Sequence, residues 1–200
     1  PCMREIVIPH DLTRGPVRAV RRMLVHSSIA EIQQLGLYDE YRANIDKATL
    51  EHILELIGPG WMPVELAQAH YGACNRLSLS DEQIHAAGLR AGEKMGSQLI
   101  VGAQISSLPS ERSAWELIAA FSRMGRRMHE GGSTQYLKLG PSKLQIEHVG
   151  NPLFAERYYR LGHGGFMYQT FKSVGIDVID AKVSNFRADK LLFDVTLTWK

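Results

Sequence analysis

Cysteine is almost missing from this 200-residue chain, in which Cys2 and Cys74 are the only two. Two thiols cannot build the disulfide framework of a small secreted domain, so reduced cysteines in the cytoplasm are expected. Long apolar runs are missing too. No uninterrupted stretch approaches the roughly 20 residues of a membrane span, and no charged start leads into an apolar core, so neither a span nor a signal peptide is expected. Charge of one sign is not in excess: 23 Lys and Arg face 21 Asp and Glu, a net +2 that implies no nucleic-acid partner. Gly-x-Ser-x-Gly, His-Glu-x-x-His and Cys-x-x-Cys are all absent, which removes the motif-based grounds for a hydrolase, a zinc peptidase or a dithiol redox protein. No repeat or low-complexity segment is visible.

What remains is ordinary globular composition, with 44% apolar and 22% charged residues. Arg4 to Ile8 is short and apolar, fit for an edge strand or an ordered tail. Gly15-Pro16 opens a helical stripe through Val17, Val20, Leu24 and Val25, followed by a second through Ile29, Ile32 and Leu35 that stops at Gly36. Lys47 to Ile57 reads as a helix ended by Gly58-Pro59-Gly60. Trp61-Met62-Pro63 starts another, reaching about Leu77. Ser80 and Gln83 have capping-box spacing ahead of a helix from Asp81, whose Gly88, Gly92 and Gly96 share one face. Glycines so placed predict close approach of a neighbouring helix, with a ligand as the alternative. Glu111 to His129 has a long apolar stripe of Ala114, Leu117, Ile118, Phe121, Met124, Gly125 and Met128.

The period then changes to two. Ser133 to Leu139 and Lys143 to Val149 read as strands, with Leu137, Leu139, Leu144 and Ile146 facing inward. A helical segment follows Asn151-Pro152, with Gly162-His163-Gly164-Gly165 read as a hinge between its turns. Ile176 to Phe186 and Leu191 to Trp199 form a closing hairpin. The fold class is therefore α+β: one domain over 1–200, helical through 131, with an antiparallel sheet of about four strands and an inserted helix in 132–200.

Few residues suggest chemistry. His70 and Cys74 stand four apart on one helix face, suited to a metal or a thiolate–imidazole pair, but no second ligand cluster completes a site. Ordinary burial explains both. Arg18, Arg21 and Arg22, and Arg123, Arg126 and Arg127, each lie opposite an apolar stripe, as solvated helix faces do.

A helical half containing Trp61-Met62-Pro63-Val64-Glu65-Leu66, a long amphipathic helix, and strand–strand–helix–strand–strand ending Val195-Thr196-Leu197-Thr198-Trp199 resembles an uncharacterised bacterial family. That family is related in fold to haem nitric-oxide/oxygen-binding (H-NOX) domains and to vinyl-reductase-type small-molecule-binding domains. The resemblance implies a cavity between the helical part and the sheet. In the haem-binding relatives a histidine on the helix before the first strand ligates iron, and a Tyr-x-Ser-x-Arg motif near the second strand binds the propionates. Here that stretch reads Leu144-Gln145-Ile146-Glu147-His148-Val149, and the preceding helix has only the terminal His129, placed to cap it. Both departures argue against haem held in the usual manner.

The reading is a sensory or regulatory domain with an apolar pocket for a small hydrophobic or tetrapyrrole-like molecule, lined by Trp61, His70, Cys74, Ile118, Phe121, Ser122 and Met124. The residues themselves predict no cofactor, and haem is the possible one. The alternatives are a haem sensor ligated through His70, Cys74 or His129, an enzyme on a tetrapyrrole-like or lipid substrate using Cys74 and His70, and a protein-interaction module that homodimerises.

Overall fold

The computed structural model describes residues 4–56, 58–102, 114–173 and 175–200, with the side chains of 95–102, 117, 119–121 and 123–124 outside the described set. Local signals placed several helices correctly. Asp46 caps the helix Lys47–Glu55 (α3), its carboxylate accepting from the Thr49 amide at 2.9 Å. The capping box forms as spaced: the Ser80 amide donates to Gln83 Oε1 at 2.8 Å and the Gln83 amide to Ser80 Oγ at 3.3 Å, opening the helix Asp81–Gly102 (α5). Two further helices, Arg22–Gln34 (α1) and Tyr38–Ala43 (α2), precede α3.

The first expected helix begins later than its stripe. Ala19–Arg21 is a strand (β2), because its backbone has partners elsewhere: the Arg18 amide donates to Glu130 O at 2.8 Å and the Arg21 amide to Met128 O at 3.0 Å. Trp61–Pro63 is likewise a strand (β3), and the helix expected to begin there is Val64–Cys74 (α4). His129–Glu130 (β4) completes a small sheet in the order β3-β2-β4. His129 is therefore a strand residue paired with Val20, and the helix before it ends at Gly125 (Ala114–Gly125, α6). Residues 111–113, where that helix was expected to start, lie outside the described residues. Gly131 and Gly132 hold positive φ here, and a Cβ on either would collide with Pro16 or Val17.

The main sheet has five antiparallel strands in the order β1-β5-β6-β8-β7, built from Glu5–Ile8 (β1), Ser133–Gly140 (β5), Lys143–Val149 (β6), Val178–Val183 (β7) and Leu192–Trp199 (β8). The extra strand is the N-terminal segment, paired on β5. Register sets Tyr136, Ile146 and Val195 in one row and His148 opposite Phe193, so these residues share the face that packs on the helices. Leu137 pairs with Gln145 on the other face, although buried, and an irregularity between Lys138 and Gly140 falls at Leu139. That bulge shifts the parity by one, which corrects the expected inward pair Leu137 and Leu139.

Arg157–Ser173 is one continuous helix (α7) that runs through Gly162-His163-Gly164-Gly165. The expected hinge is absent because these glycines meet the backbone of α5. A Cβ on Gly88 would strike the Gly162 carbonyl, one on Gly165 would strike the His85 carbonyl, and one on Gly92 would lie 2.6 Å from Phe166 O. Glycine costs about 1 kcal/mol against alanine within a helix, and the close crossing offsets that cost. Gly162 itself has nothing within 4 Å of its Cβ direction. Gly88→Ala and Gly165→Ala should each destabilise the fold by about 1–3 kcal/mol or more through overpacking, whereas Gly162→Ala should be neutral or stabilising by up to about 1 kcal/mol in urea unfolding. Equal effects at the three positions would contradict this packing.

Candidate functional site

A cavity of about 290 Å³ opens between α1, α5, α7 and the inner face of β5 and β6. Its size falls at the lower end of the range for small-molecule pockets. Val17, Leu24, Ile84, Phe166 and Met167 make its apolar wall. Gly88 and Gly162 also line it, so the glycines that let α5 and α7 touch also leave space beside the contact. Charge is confined to Arg14, Lys94, Arg126 and Glu31. Glu31 is buried and paired with Arg90, whose Nε donates to Oε1 at 2.7 Å. The Arg14 guanidinium donates to the His129 carbonyl at 2.8 Å and so braces β4.

The polar end of the cavity is made of neutral groups. His129 Nε2 lies 3.0 Å from the Tyr159 hydroxyl, His148 Nδ1 lies 3.1 Å from Thr134 Oγ1, and His148 Nε2 lies 3.1 Å from His163 Nε2. Aromatic rings hold the imidazoles from behind: His148 sits 4.9 Å from the Phe154 ring centre and His163 5.1 Å from it. Burial lowers all three basicities, to about 4 for His129, to about 3 for His163, and well below the usual range for His148, where the neighbouring His163 adds to the effect. At neutral pH the rings carry no charge. Among the described residues, no three His, Cys, Asp or Glu side chains converge as a metal site.

The residues singled out from sequence lie elsewhere. His70 and Cys74 are adjacent, with Sγ 3.6 Å from Nε2, but both are fully buried in α4 and neither lines the cavity. Both His70 nitrogens are engaged, Nδ1 with the Tyr41 hydroxyl at 2.8 Å and Nε2 with Ser28 Oγ at 2.9 Å. Burial lowers the His70 pKa to about 3 and pushes the Cys74 thiol up, so they stand as neutral imidazole and neutral thiol rather than an ion pair. Ser28 does line the cavity, as does Tyr71, whose ring lies 4.7 Å from that of His70, so both link this buried cluster to the cavity wall. Trp61 lies under the Arg21 guanidinium, 4.0 Å from its ring centre. Ile118 belongs to the core, and Ser122 borders a separate void of about 20 Å³ beside Arg126 and Thr134. The side chains of Phe121 and Met124 lie outside the described residues. His129, named as a haem-ligand candidate, is the member of the set that lines the cavity.

Sequence reasoning passed over His148, His163, Tyr136 and Tyr159. His148 was within reach, since it continues the inward alternation of Leu144 and Ile146. His163 stood in a glycine run read as a hinge, and the tyrosines carried no distinguishing pattern.

A crystal structure of an Fe(II) unliganded H-NOX protein from K. algicida superposes on this chain with a TM-score of 0.63, covering 90% of this chain and 96% of that one at 8% identity. The chain has the H-NOX fold. No family model matches the sequence, and no curated protein matches it. No helix among the described residues is long and apolar enough to cross a membrane.

Among the described residues, the candidate ligands His70, Cys74 and His129 do not fit haem. An axial ligand needs an unengaged ring nitrogen or a thiolate facing an open slot. His129 Nε2 is held by Tyr159, and His70 and Cys74 are sealed in α4. The alternative through His70, Cys74 or His129 would require breaking one of these arrangements.

Burial of four neutral histidines has a consequence for pH. His70, His129, His148 and His163 have folded pKa values below the unfolded value near 6.5, so unfolding takes up protons as pH falls beneath it. Their contribution to stability is complete above that pH and is lost progressively toward the folded values of about 3 to 4. Each should add about 1.4 kcal/mol per pH unit to the slope below pH 6. Urea unfolding at a series of pH values should therefore show stability falling between pH 6 and 4.5, and His70→Asn should flatten the slope by about one proton. A curve flat through that window would refute it.

Proposed function

We propose that this chain is a sensory or regulatory ligand-binding domain whose cavity takes a small apolar molecule bearing one or two neutral polar groups. The observation that carries the reading is the cavity, whose wall combines apolar side chains with uncharged His129, His148, His163 and Tyr159. Convergent polar groups on an otherwise apolar wall orient a ligand without demanding that it bring a charge into the interior. The ligand would touch α1, α5, α7 and the sheet together, so its binding would favour whichever arrangement of helices and sheet fits it best.

The sealed state of His70 and Cys74 weighs against the enzyme alternative that uses them as a reacting pair. The haem alternative rests on likeness of fold, and the engaged histidines weigh against it. Titration with haemin is expected to give no saturable one-to-one Soret band; a sharp saturable band would restore that alternative.

Native mass spectrometry of the purified chain should find a retained small molecule, and an apolar fluorescent probe should bind at one site. Gly125 borders the cavity, and a Cβ there would lie 4.0 Å from the Tyr136 hydroxyl, in ordinary contact. Gly125→Leu should therefore weaken probe binding tenfold or more while changing stability by under about 1 kcal/mol. A loss of about 1–3 kcal/mol with unchanged probe binding would mean the site is packed solid and would end the pocket reading there.

A further inference from the structure

The contact between His148 and His163 does more than satisfy two buried rings. Their Nε2 atoms are 3.1 Å apart, their ring centres 4.9 Å apart, and their planes nearly perpendicular at 82°. In a head-on N–H···N bond each ring centre lies behind its nitrogen on the line joining the two, which sets the centres a full ring radius further out at each end. The observed centres are closer than that, so at least one ring is tilted off the line, which weakens a hydrogen bond. The 3.1 Å separation is close to that of two imidazoles on one metal, since nitrogens at about 2.0–2.1 Å from a tetrahedral ion stand about 3.3 Å apart.

We propose that His148 and His163 form a two-imidazole chelating site for a divalent transition-metal ion on the cavity wall, its remaining positions open to solvent or to the cavity's ligand. The surroundings supply what such a site needs. Thr134 Oγ1, 3.1 Å from Nδ1 of His148, can accept the proton of that nitrogen in the tautomer that leaves Nε2 its bare pair. Phe154 and Phe193 fix the ring of His148, with Phe193 stacked at 6.1 Å, and Phe154 meets His163 edge-on. One ligand comes from a sheet strand and the other from α7, so their separation is set by how the helix packs on the sheet. No carboxylate or thiolate joins them among the described residues. Imidazole donors alone suit Zn²⁺, Ni²⁺, Cu²⁺ or Co²⁺ rather than Mg²⁺ or Ca²⁺.

The proposal deepens the cavity reading and rests on it only for the open coordination positions. Its test uses Co²⁺ alone, without organic ligand, read by visible absorption on the full chain at pH 7.5. The expected result is a saturable one-to-one site that weakens tenfold or more in both His148→Gln and His163→Gln. Thr134→Val should weaken it by about 10- to 100-fold, with Thr134→Ser restoring it. That pair of variants leaves both ligands in place and decides the matter if a glutamine variant does not fold. Absence of saturable binding, or binding that survives both histidine substitutions or ignores Thr134→Val, overturns the site. Failure here leaves probe binding untouched, while failure of the pocket leaves the Co²⁺ band intact.

Discussion

The crossing of α5 and α7 at backbone contact is the constraint on which the rest of this structure depends. Side chains normally keep helix axes about 8–10 Å apart, and removing them is the only way to bring the backbones nearer. Gly88, Gly92 and Gly165 do this, with the facing backbone of Gly162, Phe166 and His85 inside the reach of any Cβ. Once α7 is held against α5 it cannot shift without a clash, and its inward residues are fixed relative to the sheet beneath it. His163 then faces His148, Tyr159 faces His129, and the volume that side chains would have filled stays open as the cavity. A packing device thus becomes a positioning device.

Electrostatics follow from the same enclosure. Removing imidazoles from water disfavours their charged form, so the rings survive inside as neutral donors and acceptors with each other, with hydroxyls and with the faces of phenylalanines. The one buried carboxylate in the cavity lining, Glu31, is matched by Arg90 at the surface. The cavity therefore holds many neutral polar atoms, while Arg14, Lys94 and Arg126 leave the charges of its lining mostly positive. Its imidazoles and hydroxyls are suited to orienting a neutral polar group or a metal ion.

Much of the architecture was legible because it is local. The capping box at Ser80, the switch of period at Ser133 and the closing hairpin depend on neighbours a few residues away, and all took the expected form. What was not legible depends on partners that only the folded chain brings together, whether 15 residues apart or more than a hundred. Val17 and Val20 fit a helical stripe, yet their segment is claimed by backbone carbonyls of residues 128–130 and 150. The parity of β5 was shifted by a bulge that alternation cannot signal. The glycine run in α7 reads as a break in isolation and as a contact only once α5 lies across it. The candidate site failed for the same reason: Cys74 and His70 are conspicuous four apart on one helix, while His148 and His163 meet only in three dimensions.

The likeness to an H-NOX protein at 8% identity bears on this distinction. A fold is kept by the inward pattern and by which elements pack together, and both survive wholesale replacement of side chains of similar size. Chemistry is not kept that way, since it needs particular atoms at particular separations. In this chain the helix before the first strand of the pair carries no histidine at its middle, and the nearest imidazole has passed into a strand engaged with Tyr159. The second strand of the pair presents His148 inward, opposite Phe193. The cavity draws its neutral donors from β4, β6 and α7. Donors so placed set what the cavity can hold without bearing on what holds the cavity.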